Sequence, residues 1–174
     1  MNTKSMQSEV LKKLQEARLD TPPIQIDKLA EFHGFRLFAQ PLTECSGFVI
    51  IDEENPTEIH GNTHEKVIIV NSKDTKRRAR FTIAHELAHF FLAKDENKNK
   101  VFAHRELLNR PYDKEEMEAD RYAGQLLAPF SLLDDLVKSI KSDDRYYIVQ
   151  RIVDCFDISQ PAAHVRYSEY LRGV

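Results

Sequence analysis

Apolar positions fall into two regimes along the chain. Up to about residue 71 they come mostly in short runs, and from Ser72 onward they recur at helical spacing almost to the last residue. Val10, Leu11 and Leu14 predict a helix over Ser5 to Ala17, which Thr21-Pro22-Pro23 stops. A shorter helix is expected from about Asp27 to His33 with Gly34 as its cap, followed by a strand at Phe35-Arg36-Leu37-Phe38. Gly47-Phe48-Val49-Ile50-Ile51 and Lys66-Val67-Ile68-Ile69-Val70 read as two further strands, separated by turn-forming Glu54-Asn55-Pro56-Thr57 and Gly61-Asn62. Helices are then expected near 74–94, 113–127, 130–140, 144–156 and 160–171, with a long loop from Asp95 to Tyr112. Lys94 to Lys100 is charged and poor in apolar residues, which predicts mobility. A sheet over about 35–71 followed by helices makes the fold class α+β. With no internal repeat, residues 1–174 are read as one domain.

Composition narrows the class. At 174 residues, with 41% hydrophobic and 30% charged, the chain can bury a core without cross-links and is not disordered as a whole. No apolar run approaches the roughly 18 residues a membrane span needs, and the polar first ten residues lack a secretory apolar region. The expected location is therefore the cytoplasm, with no membrane partner. Cys45 and Cys155 are far apart and form no C-x-x-C pair, so free thiols are expected rather than a cysteine metal site. A net charge of −3 gives no general attraction to nucleic acid.

Candidate chemistry concentrates in Phe81-Thr82-Ile83-Ala84-His85-Glu86-Leu87-Ala88-His89, an H-E-x-x-H motif with no helix breaker from Ser72 to Asn97. At about 100° per residue His85 and His89 stand one turn apart on one face, where two imidazoles can reach one ion. Phe81, Ala88 and Leu92 share that face, so the histidines sit in an otherwise apolar stripe. Catalytic zinc usually takes three protein ligands and keeps a fourth position open, so a third donor is required. The longer motif H-E-x-x-H-x-x-G-x-x-H would place Gly and His at positions 92 and 95, which here are Leu92 and Asp95.

The third donor is therefore expected from the acidic helix Asp113-Lys114-Glu115-Glu116-Met117-Glu118-Ala119-Asp120. Taking Glu116 as origin, Ala119, Ala123 and Leu127 lie within about 60° of it, so Glu116 points to the core. Glu118 falls about 200° away and is expected in solvent, with Glu115 on the flank. Asp120, one turn after Glu116, is placed to accept from the free ring N–H of a liganding histidine. The candidate site is thus His85, His89 and Glu116 for Zn2+, Glu86 as catalytic base, and Asp120 behind the ligands.

These segments resemble the ImmA/IrrE family of metallopeptidases, of the gluzincin-like group. The resemblance rests on Arg80 to His89, on Glu116-Met117-Glu118-Ala119-Asp120-Arg121-Tyr122-Ala123, and on Gln125-Leu126-Leu127-Ala128-Pro129. Ser46-Gly47-Phe48 and Ile69-Val70-Asn71 also fit, so it extends roughly from Pro23 to the C-terminus. It implies a zincin-like fold, with a small twisted N-terminal sheet, an active-site helix and a C-terminal helical bundle. It also implies a cytoplasmic zinc endopeptidase acting on an Xre-type helix-turn-helix repressor. Motif matching gives the same ligands and base. No residue matches a transition-state donor; His104 and Tyr112 precede the acidic helix but read as ordinary loop residues.

Other features are weaker. Lys76-Arg77-Arg78-Ala79-Arg80 reads as a solvated basic face, with docking of an acidic partner as the alternative. His60 and His64 share i,i+4 spacing, but Gly61-Asn62 between them argues for loop histidines. Residues 144–172 resemble a helix-turn-helix with Ser159 as cap. Over residues 141–172, Lys141, Arg145, Arg151, Arg166 and Arg172 balance Asp143, Asp144, Asp154, Asp157 and Glu169, so direct DNA binding is not expected. The rival reading of the whole is a non-catalytic zinc-binding regulatory or toxin–antitoxin partner module. Glu86 argues against it, because a structural zinc needs no base.

Overall fold

The structure is a computed structural model that describes residues 3–93 and 114–173. His104, Tyr112, the loop read at 95–112 and the mobility read for 94–100 lie outside the described residues. The elements run α1 (Thr3–Glu16), α2 (Ile26–Phe32), β1 (Arg36–Gln40), β2 (Gly47–Ile51), β3 (Thr57–Ile59), β4 (Asn62–His64), β5 (Lys66–Asn71), α3 (Lys76–Leu92), α4 (Lys114–Leu127), α5 (Phe130–Ser139), α6 (Arg145–Phe156) and α7 (Gln160–Arg172). The fold is α+β, a small mixed sheet followed by a helical C-terminal region. No helix among the described residues is long and apolar enough to cross a membrane.

The sheet has the order β1-β5-β2, with β1 parallel and β2 antiparallel to β5. Central β5 is apolar on both faces because both are covered. Ile68 and Val70 enter the main core with α3, whereas Val67 and Ile69 pack with Ile59, Phe38 and Phe48 in a smaller cluster. Ile59 belongs to a β3–β4 hairpin, a difference from the sequence, which offers only turn-forming residues at 54–57 and 61–62 between β2 and β5. His60 and Gly61, both at positive φ, close the hairpin as a two-residue turn. Its strands are three residues long and largely polar, so they leave no alternation to read. His60 and His64 both pack against Phe38 in tilted arrangements, with ring centroids 6.1 and 5.4 Å away.

Two devices place β2 at the site. Asn71 ends β5 and pins the preceding connection: its Oδ1 accepts from Leu42 N, while its Nδ2 donates to the Leu42 and Cys45 carbonyls. Gly47 then allows β2 to press against α3. A Cβ there would lie 2.6 Å from the Ile69 carbonyl oxygen and closer still to Thr82 Cγ2. Gly47→Ala is accordingly expected to lower stability by about 1–3 kcal/mol through overpacking. The denaturant midpoint checks this, and an unchanged midpoint would show that the approach is not tight.

Helix α3 is buried around most of its circumference, by Thr82, Ile83, Ala84, Leu87 and Ala88. The basic run at its start is largely spent on the turn between α6 and α7. Asp157, at φ 49°, receives Arg77 Nε at 3.0 Å and Lys76 Nζ at 3.5 Å. Arg77, with Arg80 and Lys76, holds its carboxyl below the usual range. Arg80 also donates to the Asp157, Phe156 and Ile24 carbonyls, capping the C-terminal end of α6. Ser159 caps α7 by accepting from Ala162 N. Neither Cys45 nor Cys155 forms a disulfide among the described residues.

Candidate metal centre

Fully buried Ala84 and Ala88 on α3 and Ala119 and Ala123 on α4 keep the interface of these packed helices small. Short acidic side chains on α4 can then reach the histidines of α3. His85 and His89 project one turn apart, with ring centroids 4.6 Å apart and planes at 78°. Their Nε2 atoms lie 2.9 Å from each other. Glu116 closes the group, Oε2 lying 3.2 Å from His85 Nε2 and Oε1 3.5 Å from His89 Nε2. The three donor atoms fall within 4.8 Å of one another. No second group of three such side chains converges like this among the described residues.

Asp120 fixes the polarity of this arrangement. Its Oδ1 lies 2.9 Å from His85 Nδ1; with the proton on that nitrogen, His85 Nε2 presents a lone pair to the centre. Two facing imidazole nitrogens beside a carboxylate are reconciled by a shared cation, and the residues therefore fit a metal ion. Burial opposes charge on His85, but the Asp120 hydrogen bond and the Glu86, Asp120 and Glu116 carboxylates outweigh it and raise its pKa. A cation between the ligands would reverse that balance.

Glu86 points into the protein beneath β2. It is 2% exposed, and its Oε2 has no hydrogen-bond partner among the described residues. Burial pushes its carboxyl up to about 7; His85 opposes the shift, Glu116 adds to it, and a hydrogen bond with the Val49 backbone opposes it again. Ser46 O and Asp52 N bond toward β5, so alternation turns the peptide groups of Gly47, Val49 and Ile51 to the outer edge of β2. The Val49 contact was not legible in the sequence, since a backbone group carries no residue signature.

All five residues singled out in the sequence lie in this region. Glu118 differs from expectation: it is half-buried, because it lies within about 40° of Tyr122 and 20° of Gln125, both buried. Tyr122 on that face meets α1, its hydroxyl donating to Glu9 Oε1 at 2.9 Å. Asp120→Ala is expected to weaken metal affinity about 10–100-fold by freeing the His85 ring. Competition with a chromophoric chelator measures this, and unchanged affinity would remove the orienting role.

Residues 33–168 match the Peptidase_M78 family model, described as the IrrE N-terminal-like domain. The match covers well over half of the chain and includes every residue of the site. No curated protein matches the chain.

Proposed function

Because the chain belongs to the Peptidase_M78 family, described as IrrE N-terminal-like, we propose that it is a zinc-dependent endopeptidase that cuts an Xre-type repressor in the cytoplasm. Family membership supports a metallopeptidase-type function. The observation that carries the reading is the convergence of His85, His89 and Glu116 beside the buried, unpartnered Oε2 of Glu86.

Two imidazoles and one carboxylate are a donor set that zinc takes in hydrolytic sites. Bound there, zinc supplies Lewis-acid polarisation of a carbonyl and makes water nucleophilic near neutral pH. The chain's own residues do the rest. Asp120 keeps the His85 proton on Nδ1 and holds the ring in its liganding orientation. The Val49 backbone holds the Glu86 carboxylate, leaving Oε2 to take a proton from the attacking water and return it to the leaving amine. Along the outer edge of β2, backbone groups can pair with an extended peptide, which presents its bond beside the centre.

The Xre-type substrate follows from the resemblance of the H-E-x-x-H and E-x-x-A-D segments to ImmA/IrrE peptidases. Co-expression with an Xre-type regulator encoded beside the gene tests it. Regulator fragments are expected with the wild type and an intact regulator with Glu86→Gln. The cut should fall in an extended or locally unfolded segment, because strand pairing requires the peptide to give up its own helical hydrogen bonds. A stable uncut complex formed equally by both proteins would favour the non-catalytic module.

A further inference from the structure

A groove of about 500 Å3 opens beside the metal centre, between the first turns of α3, the outer face of α4 and the first half of α7. Phe81 and Asp120 belong to both: Phe81 stands one turn before His85, and Asp120 is bonded to the His85 ring. The groove walls are apolar where Phe81, Met117, Ile158 and Val165 line them. Met117 is 52% and Val165 57% exposed, so both banks leave large apolar side chains in water.

The rim is basic. Arg77 is engaged by Asp157, and buried Arg166 by Glu169 and the Ala128 carbonyl. Arg78 and Arg121 have no such carboxylate: Arg78 Nε donates to Ser46 Oγ at 3.1 Å, and Arg121 Nη2 to Thr3 Oγ1 at 2.9 Å. Neither meets an acidic side chain at ion-pair distance among the described residues. The acidic lining is already engaged, Asp120 with His85 and Glu169 with Arg166. The capped N-termini of α3 and α7, at Thr75 and Ser159, also line the groove and add positive potential. The Arg78–Ser46 bond ties the groove to the residue before β2, so a peptide paired along the β2 edge runs off its Gly47 end toward this basic rim.

We propose that this groove docks an acidic, apolar stretch of the protein substrate, adjoining the segment that is cut. The proposal rests on the peptidase reading above. Apolar side chains would cover Met117 and Val165, while carboxylates would meet Arg78 and Arg121.

Fluorescence anisotropy with zinc-loaded Glu86→Gln protein tests it, using a short fluorescein-labelled peptide that alternates Glu and Leu and a counterpart with Lys for Glu. The acidic peptide is expected to bind at least about tenfold more tightly than the basic one. That preference should vanish in Arg78→Glu combined with Arg121→Glu. Val165→Asp, at an exposed position, should weaken the acidic peptide without altering the thermal melt. No binding of the acidic peptide, equal affinity for both peptides, or affinity undiminished by charge reversal would overturn the proposal. The two readings fail separately. Charge-dependent binding by a protein whose wild type cuts nothing keeps the groove and removes the peptidase. Cleavage by a wild type whose groove shows no such preference does the reverse.

Discussion

Glu86→Gln is expected to reduce peptide-bond cleavage by about 10²–10⁴-fold, the usual range for loss of a positioned proton acceptor. Metal content and fold should be retained. The amide is nearly isosteric with the carboxylate, and the site around it is closed: Glu86 is 2% exposed, with the Val49 backbone beside one end of its side chain. What the substitution removes is the ability of Oε2 to accept a proton from water. Quantifying new N-termini in a co-expressed substrate by mass spectrometry measures the effect. Cleavage within a few-fold of wild type would take Glu86 out of its role, and loss of metal together with cleavage would make the effect one of binding rather than proton transfer.

His85→Ala and His89→Ala are each expected to reduce bound zinc from about one equivalent to a small fraction. Each leaves only two protein donors where three converge within 4.8 Å, and two hold the ion poorly. Glu116→Ala should behave in the same way. Glu118→Ala should keep its zinc, because that side chain lies on the face of Tyr122 and Gln125 rather than toward the histidines. Elemental analysis after extensive dialysis reads all four. Full occupancy in either histidine variant would show that the ion is held elsewhere, and loss in Glu118→Ala with retention in Glu116→Ala would reverse the assignment on α4.

Much of this was legible because helix periodicity is a strong local signal. α3 and α4 begin and end within two residues of their expected positions, and helix phase puts Glu116 and Asp120 on one face, where the structure has them beside His85. The misses have one physical origin: they depend on partners distant in sequence. Glu118 is half-buried because α1 and the Tyr122 face come together, a contact made across 113 residues. The basic cluster after Thr75 reads as a solvated face until Asp157 is brought to it across 80 residues, after which only Arg78 remains turned toward β2. The β3–β4 hairpin carries short polar strands whose pairing rests on a turn and on Phe38. The partner of Glu86 is a backbone group of β2, and its availability depends on β2 being an edge strand, a property of sheet order rather than of any one segment.

The basic rim gives the edge of β2 a direction. Asn71 pins the connection before β2, Gly47 sets the strand tight against α3, and Arg78 joins its start to the groove. A substrate would thus meet a hydrogen-bonding edge at the metal centre and a cationic, apolar surface beyond it. On the proposed reading, this combination would let the centre on α3 and α4 favour one protein over the many others that present extended segments.

The central claim is that zinc sits among His85, His89 and Glu116, with Glu86 beside it. An anomalous difference map recorded at the zinc edge from crystals of the purified protein tests this most directly. The account predicts one peak, about 2.0–2.2 Å from the Nε2 atoms of His85 and His89 and from a Glu116 carboxylate oxygen. A zinc peak at any other set of residues, with none between these three in zinc-loaded crystals, would contradict it.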